Sequence, residues 1–301
     1  MLGQLVLSNQ ENLPCHYNID IGDTITFINN QIKFLNMQEN NFHINEHSLK
    51  TAISKVEPNK LTTRGYNQKD LIEKIRYGDM IYLLLKGRLP SIKESKMFNH
   101  VLVSFCDHGV TPPSTQTARI IASSGSPMNS AVAGALLSFG HKHAGAIEKT
   151  MDLYQSKINS LILTEDVDLD NKQIASMAID IYNEYYAKKE KIPGFGHRYH
   201  DADPRAEKLI QMAIKEGFVG PHIKLAVAIE DLMYQNKGIK LNVDGANAAI
   251  LSDLGFTPDL GLGVFIIGRV PGIIAHIHEE KMDEDEFRRF CDLDDIVYGG
   301  Q

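Results

Sequence analysis

Four ionisable residues stand on glycine-bearing stretches where a side chain could move a proton while backbone lies close to a ligand. His108 follows Asp107 in DHGVTPPS, His143 begins HAGAIEKTMDL, His197 stands in PGFGHRYH, and Asp244 lies in NVDGANAAILSDLG. Glycine, lacking a Cβ, allows that close approach, and imidazole and carboxylate groups are the usual general acids and bases. Taken singly, each has a plain structural reading: a histidine satisfied by its neighbours, or an aspartate capping the helix that follows. The stretch KIPGFGHRYHDADPRAEKL at 191–209 continues into a helix start, with Asp203 as N-cap and Pro204 at the first helical position. That explains Asp203 and Pro204 and leaves His197 without a reason. His200 is assigned a structural role.

Other chemistries find less support. Neither GxxxxGK[ST] nor GxGxxG follows a strand, so a nucleotide fold is weakly indicated. The pairs His141-x-His143 and His276-x-His278 fall in expected helix or helix entry, where residues two apart point about 200° from each other and cannot share an ion. No metal site is expected. There is no GxSxG elbow, and nothing around Cys106 favours a reactive thiolate.

The composition is that of a soluble globular chain, with 43% hydrophobic and 23% charged residues in 301. A net charge of −7 argues against a nucleic-acid or anionic-membrane surface, so an anionic substrate needs local arginines. Cys15, Cys106 and Cys291 are isolated, which suits a reducing compartment, and the N-terminus lacks a signal-peptide pattern. A cytoplasmic location is expected. The apolar stretch GLGVFIIGRVPGIIAHIH is too short and polar to span a bilayer and suits a buried helix. Its Arg269 must then face a carboxylate or an anionic ligand.

The elements that position these residues are mostly helical. Phe98, Val101, Leu102 and Phe105 share helical spacing, as do Ile174, Met177, Ile181 and Tyr185, and Leu225, Ile229, Leu232 and Met233. GRLPS, GVTPPS, SSGSP and IPGFG separate the runs. Residues 1–50 differ: DTITFINNQIKF alternates about Asn29-Asn30, which predicts a β-hairpin.

Several of these motifs jointly resemble the citrate synthase superfamily. PGFGHRYHDADPR is similar to its PG[FY]GH…DPR signature, His143-Ala-Gly-Ala to HGGA, and Asn242-Val-Asp244 to its NVD motif. TTRGYNQKDLIEKIRYGDMIYLLLKGRLPS at 62–91, DHGVTPPSTQTARIIASS at 107–124 and FIIGRVPGIIAHIHE at 265–279 also match in order. The likeness runs over about 53–298, leaving 1–50 outside.

This resemblance implies a mainly α, two-domain fold with a short N-terminal hairpin extension (1–50). The large domain would span 51–146 and 251–301, and the small one 147–250. It implies Claisen condensation of acetyl-CoA with oxaloacetate to citryl-CoA or citrate. Asp244 is then the base, His143 the donor to the thioester oxygen, and His197 the donor to the oxaloacetate ketone. Arg205 and Arg269 would hold substrate carboxylates and His108 would make a further substrate contact, with Arg289, or its neighbour Arg288, supplied across a dimer interface. Pro193, Gly194, Phe195 and Gly196 would lie along CoA. No permanently bound cofactor is implied; acetyl-CoA or CoA is a co-substrate, and the partner is at least a second copy of the chain.

The pattern departs from the synthases at Ala144 and Ile147, where HAGAIE replaces HGGANE. NVDG at 242–245 is closer to citryl-CoA lyases. A lyase running the reverse cleavage is therefore the alternative, and a CoA-binding paralogue without activity is a further one. The direction, the acid, the acyl group and the role of 1–50 stay open.

Overall fold

The computed structural model describes residues 24–28, 31–35, 51–162, 169–197 and 202–300. The chain divides into two compact units, Met1–Lys55 and Val56–Gln301. In the first, β1 (Thr24–Ile28) and β2 (Gln31–Leu35) pair antiparallel from Thr24–Leu35 to Ile28–Gln31, giving the expected hairpin. Its turn residues Asn29 and Asn30 lie outside the described residues, as does His200.

The second unit is helical. Its helices are α1 (Gln68–Lys74), α2 (Tyr77–Lys86), α3 (Ile92–Phe105), α4 (Pro113–Ser123), α5 (Met128–Leu137) and α6 (Ala146–Ile162). They continue with α7 (Asn171–Lys188), α8 (Pro204–Lys215), α9 (Pro221–Lys237), α10 (Val243–Asp253) and α11 (Pro258–Asp283). The sequence breakers fall between them. Local chemistry sets the starts: Ser91 with Glu94, and Asp170 with Gln173, form reciprocal capping boxes on α3 and α7.

The stretch before α1 holds a small sheet, β3 (Ser54–Glu57), β4 (Lys60–Thr63) and β5 (Tyr66–Asn67), in that order. Its tight turns use Asn59, Arg64 and Gly65 at positive φ.

The core explains where the chemistry-bearing residues end up. Helix α10 is buried all round, from Gly245 to Ser252, as expected of a helix apolar on every face. Helices α3, α6, α8, α9 and α11 pack against it. Tyr82, Phe98 and Phe256 meet in edge and stacked contacts with centroids 5.4–5.6 Å apart. A second cluster joins α4, α5 and α11 through Ala118, Ala122, Ala131, Ala135, Ile273 and Ile277. The helix holding GLGVFIIGRVPGIIAHIH runs longer than expected, and α11 alone among the described helices is long and apolar enough to cross a membrane; it packs against α3, α4, α5 and α6.

Candidate active site

A cavity of about 520 Å³ opens where α4, α6, α8, α10 and α11 begin or pass, and six of the seven proposed catalytic and substrate residues line it: His108, His143, His197, Arg205, Asp244 and Arg269. They come from segments spread over more than half the chain.

His197 and Asp244 are brought together by two loops laced side by side. Asn242 N–H donates to the Gly194 carbonyl at 3.0 Å, and Gly196 N–H donates to the Lys240 carbonyl at 2.8 Å. The Asn242 side chain donates to the Gly196 carbonyl at 2.8 Å and accepts from Gly245 N–H at 3.0 Å, so it both caps α10 and braces the turn. Asn242, not Asp244, is the N-cap, which leaves the Asp244 carboxyl to face the cavity from the first turn of α10.

The glycines of this turn answer to packing. A Cβ on Gly194, at φ 86°, would stand 2.8 Å from the Gly245 Cα, and Gly196 has φ 80°. Of the four residues proposed to lie along CoA, Pro193 and Gly196 line the cavity. Gly194 instead turns to Gly245 and Thr150, and Phe195 lines a neighbouring pocket with Tyr182, Tyr185 and Tyr186.

Asp203 does more than cap. Only 2% exposed, it accepts from Arg205 N–H at 3.1 Å, from the Arg205 guanidinium at 3.0 Å twice, and from Val243 N–H at 3.0 Å. One carboxylate thus ties α8 to α10 and aims Arg205. Burial pushes the Asp203 carboxyl up, but the Arg205 guanidinium and the backbone N–H groups outweigh it and hold it below the usual range. His197 Nε2 lies 3.9 Å from the same carboxylate, and its ring meets the His108 ring edge-on at 5.8 Å.

His143 sits at the entry to α6, in a turn closed by paired backbone bonds to Gly140 at 2.8 and 2.9 Å. Its Nε2 meets Ser114 Oγ at 2.9 Å. Ser114 is fully buried in the first turn of α4; the sequence offered only a Pro-Pro-Ser helix start as a sign of it. Ala144 follows with φ 72°, in the left-handed region that favours glycine. Ile147 is fully buried in the main core.

Arg269 is 4% exposed, donates from Nε to the Phe105 carbonyl at 2.7 Å, and lies over the Phe265 ring. Among the described residues no carboxylate reaches ion-pair distance of it. A buried cation of this kind, lining a cavity, calls for an anionic ligand. Lys142, Lys149 and Lys191 add positive charge to the lining, against one carboxylate, Asp244.

That carboxylate is tuned. Burial raises the Asp244 carboxyl to about 6; Arg205 and Arg269 oppose the rise, and Asp203 adds to it. Burial, with Arg205, Arg269 and His197 nearby, holds His108 below the usual imidazole range and so favours its neutral form. The site thus combines a carboxyl poised near neutrality, the imidazoles of His108, His143 and His197, and two arginines. This set can exchange a proton with carbon while donors stabilise oxygen charge.

Arg289 is not in the cavity. It lies exposed beyond α11, with Asp292 3.4 Å away, while Arg288 pairs with Glu280 and Glu284.

Comparison with known proteins identifies the family. The family model described as citrate synthase, C-terminal domain, matches residues 45–104 and 93–290. Citrate synthase of Heyndrickxia coagulans is 31% identical over 224 residues, 72% of this chain and 56% of that protein. Citrate/2-methylcitrate synthase of Bacillus subtilis is 32% identical over 243 residues, 76% of this chain and 60% of that protein. The chain therefore spans little more than half the length of these curated relatives. Among solved structures, citryl-CoA lyase from Hydrogenobacter thermophilus is 40% identical with a TM-score of 0.74, covering 84% of this chain and 94% of that one. ATP citrate lyase from Methanothrix soehngenii, at 23% identity and TM-score 0.69, shares the fold. With the helical architecture and the family match in agreement, the chain belongs to the citrate synthase family.

Proposed function

We propose that the protein cleaves citryl-CoA to acetyl-CoA and oxaloacetate. The observation that carries this direction is the 40% identity to a citryl-CoA lyase along 94% of that chain, above the 31–32% shared with the synthases. The cavity supplies what the reaction needs. Arg205 and Arg269 hold carboxylates of the citryl group, and the rim lysines face the phosphates of CoA.

His197, with His108 beside it, takes the proton of the citryl hydroxyl as the ketone forms. The carbon–carbon bond breaks, and its electron pair passes to the acetyl thioester as an enolate. His143 donates to the enolate oxygen. In this role His143 carries its proton on Nδ1 and Nε2 accepts from the Ser114 hydroxyl, a tautomer with which the 2.9 Å contact is compatible. Asp244, protonated, then delivers its proton to the enolate carbon. A carboxyl near 6 is suited to either direction, since near neutral pH it is neither a spent acid nor an idle base. Arg289, outside its own cavity, would serve that of a second copy in a homodimer.

Condensation to citrate is the second reading, favoured by the synthases among the relatives. Mixing the protein with citryl-CoA and, separately, with acetyl-CoA and oxaloacetate tests the direction. The proposal expects acetyl-CoA and oxaloacetate from the first mixture and no sustained thiol release from the second. Sustained thiol release in the second mixture would establish the synthase instead.

A further inference from the structure

The loop that carries His108 is seated on one stripe of α11. Gly268, Gly272 and His276 recur every four residues, so they share a face of that helix. A Cβ on Gly268 would stand 2.8 Å from Phe105 Cβ, and one on Gly272 would stand 2.1 Å from the Cys106 carbonyl oxygen. The two glycines thus let the end of α3 and the start of the loop rest directly on the α11 backbone. Arg269 Nε holds the Phe105 carbonyl at 2.7 Å. One helical turn beyond Gly272, His276 Nε2 meets Asp107 Oδ1 at 2.9 Å, and the other Asp107 oxygen accepts from Gly109 N–H at 3.1 Å.

Asp107 thereby clamps the backbone on both sides of His108 while held by a residue that does not line the cavity. His276 is itself held from behind. Its Nδ1 lies 3.6 Å from Glu279, which takes Arg119 of α4 at 2.7 Å. The segment between α3 and α4 is therefore gripped at one end by α11 directly and at the other through Arg119.

The geometry points to His276 as a positioning residue for His108, acting through Asp107. It sets where the His108 imidazole stands against the citryl or oxaloacetate group, so this inference rests on the function proposed above. Phe105, Gly268 and Gly272 already seat the loop, so loss of His276 alone leaves the fold standing and loosens the 107–109 turn.

The test compares wild type with His276→Ala, His276→Gln and Asp107→Ala in steady-state kinetics, and in hydrogen exchange of the peptide spanning 106–112. Misplacement by about an ångström costs up to about 100-fold in rate, so His276→Ala is expected to lower kcat by about 10-fold or more with its melting temperature nearly unchanged. Exchange at Gly109 should rise. Glutamine can donate a side-chain N–H to Asp107 and should restore both readouts. Asp107→Ala should lower kcat as His276→Ala does, and the double variant should fall no further than either single one. Wild-type kinetics and exchange in His276→Ala would overturn the inference, as would additive losses in the double variant. Wild-type protein inert towards citryl-CoA and towards acetyl-CoA with oxaloacetate would overturn the functional reading instead, and the exchange comparison would still decide whether His276 holds the turn.

Discussion

Gly194 and Gly245 touch backbone to backbone: a Cβ on Gly245 would stand 2.2 Å from the Gly194 carbonyl oxygen. This contact joins the turn that carries His197 to the helix that carries Asp244. Gly245→Ala cannot be absorbed by a flexible side chain, because the obstacle is backbone. Overpacking of this kind typically costs about 1–3 kcal/mol, and the shift falls on the site. The variant should melt below wild type and lose most of its turnover. Wild-type activity in Gly245→Ala would show that the two segments do not depend on this contact.

Ala144 occupies the left-handed region at φ 72° beside His143. That conformation costs a non-glycine residue about 1–2 kcal/mol, while a glycine adds back part of that through the unfolded chain, roughly 0.4–1 kcal/mol. Ala144→Gly should therefore raise stability by up to about 1 kcal/mol, read as a higher melting temperature. A lower one would mean that the alanine methyl group makes up its own strain.

Asp203 is a buried anion with Arg205 as its ion-pair partner and α10 hanging from it. Asp203→Asn keeps the shape and removes the charge. Breaking a buried pair costs about 3–5 kcal/mol, and partial exposure of Arg205 places the expected loss near the lower end. Because the folded carboxyl lies below its unfolded value, this stability is present above about pH 4 and is lost as pH falls through the folded value. Denaturant unfolding at pH 7 and pH 3 should show the gap between wild type and variant closing at the lower pH.

Asp244 runs the other way. Its folded value is raised from 3.8 to about 6, so the fold favours the protonated form. The associated stability is fully present below about pH 4 and is lost as pH rises through 6. Asp244→Asn, which never ionises, should be more stable than wild type at pH 8 by up to about 3 kcal/mol, less what solvent in the cavity screens. At pH 4 the advantage should vanish. A gap independent of pH would mean that the carboxyl is not raised.

The helices were legible because their apolar residues recur at helical spacing and are capped or broken where the chain turns. Phe98, Val101 and Phe105 of α3 and Ile174, Met177 and Ile181 of α7 are all buried. The sheet at 54–67 was not, since Ser54, Lys55, Val56, Lys60 and Leu61 are exposed and leave no apolar alternation to follow. Six of the proposed site residues, read from motifs far apart in the chain, line one cavity. The contact of Ser114 with His143, the bond from Val243 to Asp203 and the bond from Asn242 to Gly196 were not legible, because each joins residues at least 29 positions apart. Glycine in PGFG suggested room for a ligand, and at Gly194 the room is taken by another backbone.

The proposed mechanism depends most on Asp244 exchanging a proton with the acetyl carbon of citryl-CoA. The most direct measurement is the rate of acetyl-CoA release from citryl-CoA by wild type and by Asp244→Asn, with the fold of each confirmed by its melting curve. Under this mechanism wild type turns over and the folded variant loses at least about 100-fold in rate, the low end of what a general acid–base group contributes. Undiminished cleavage by Asp244→Asn would contradict it.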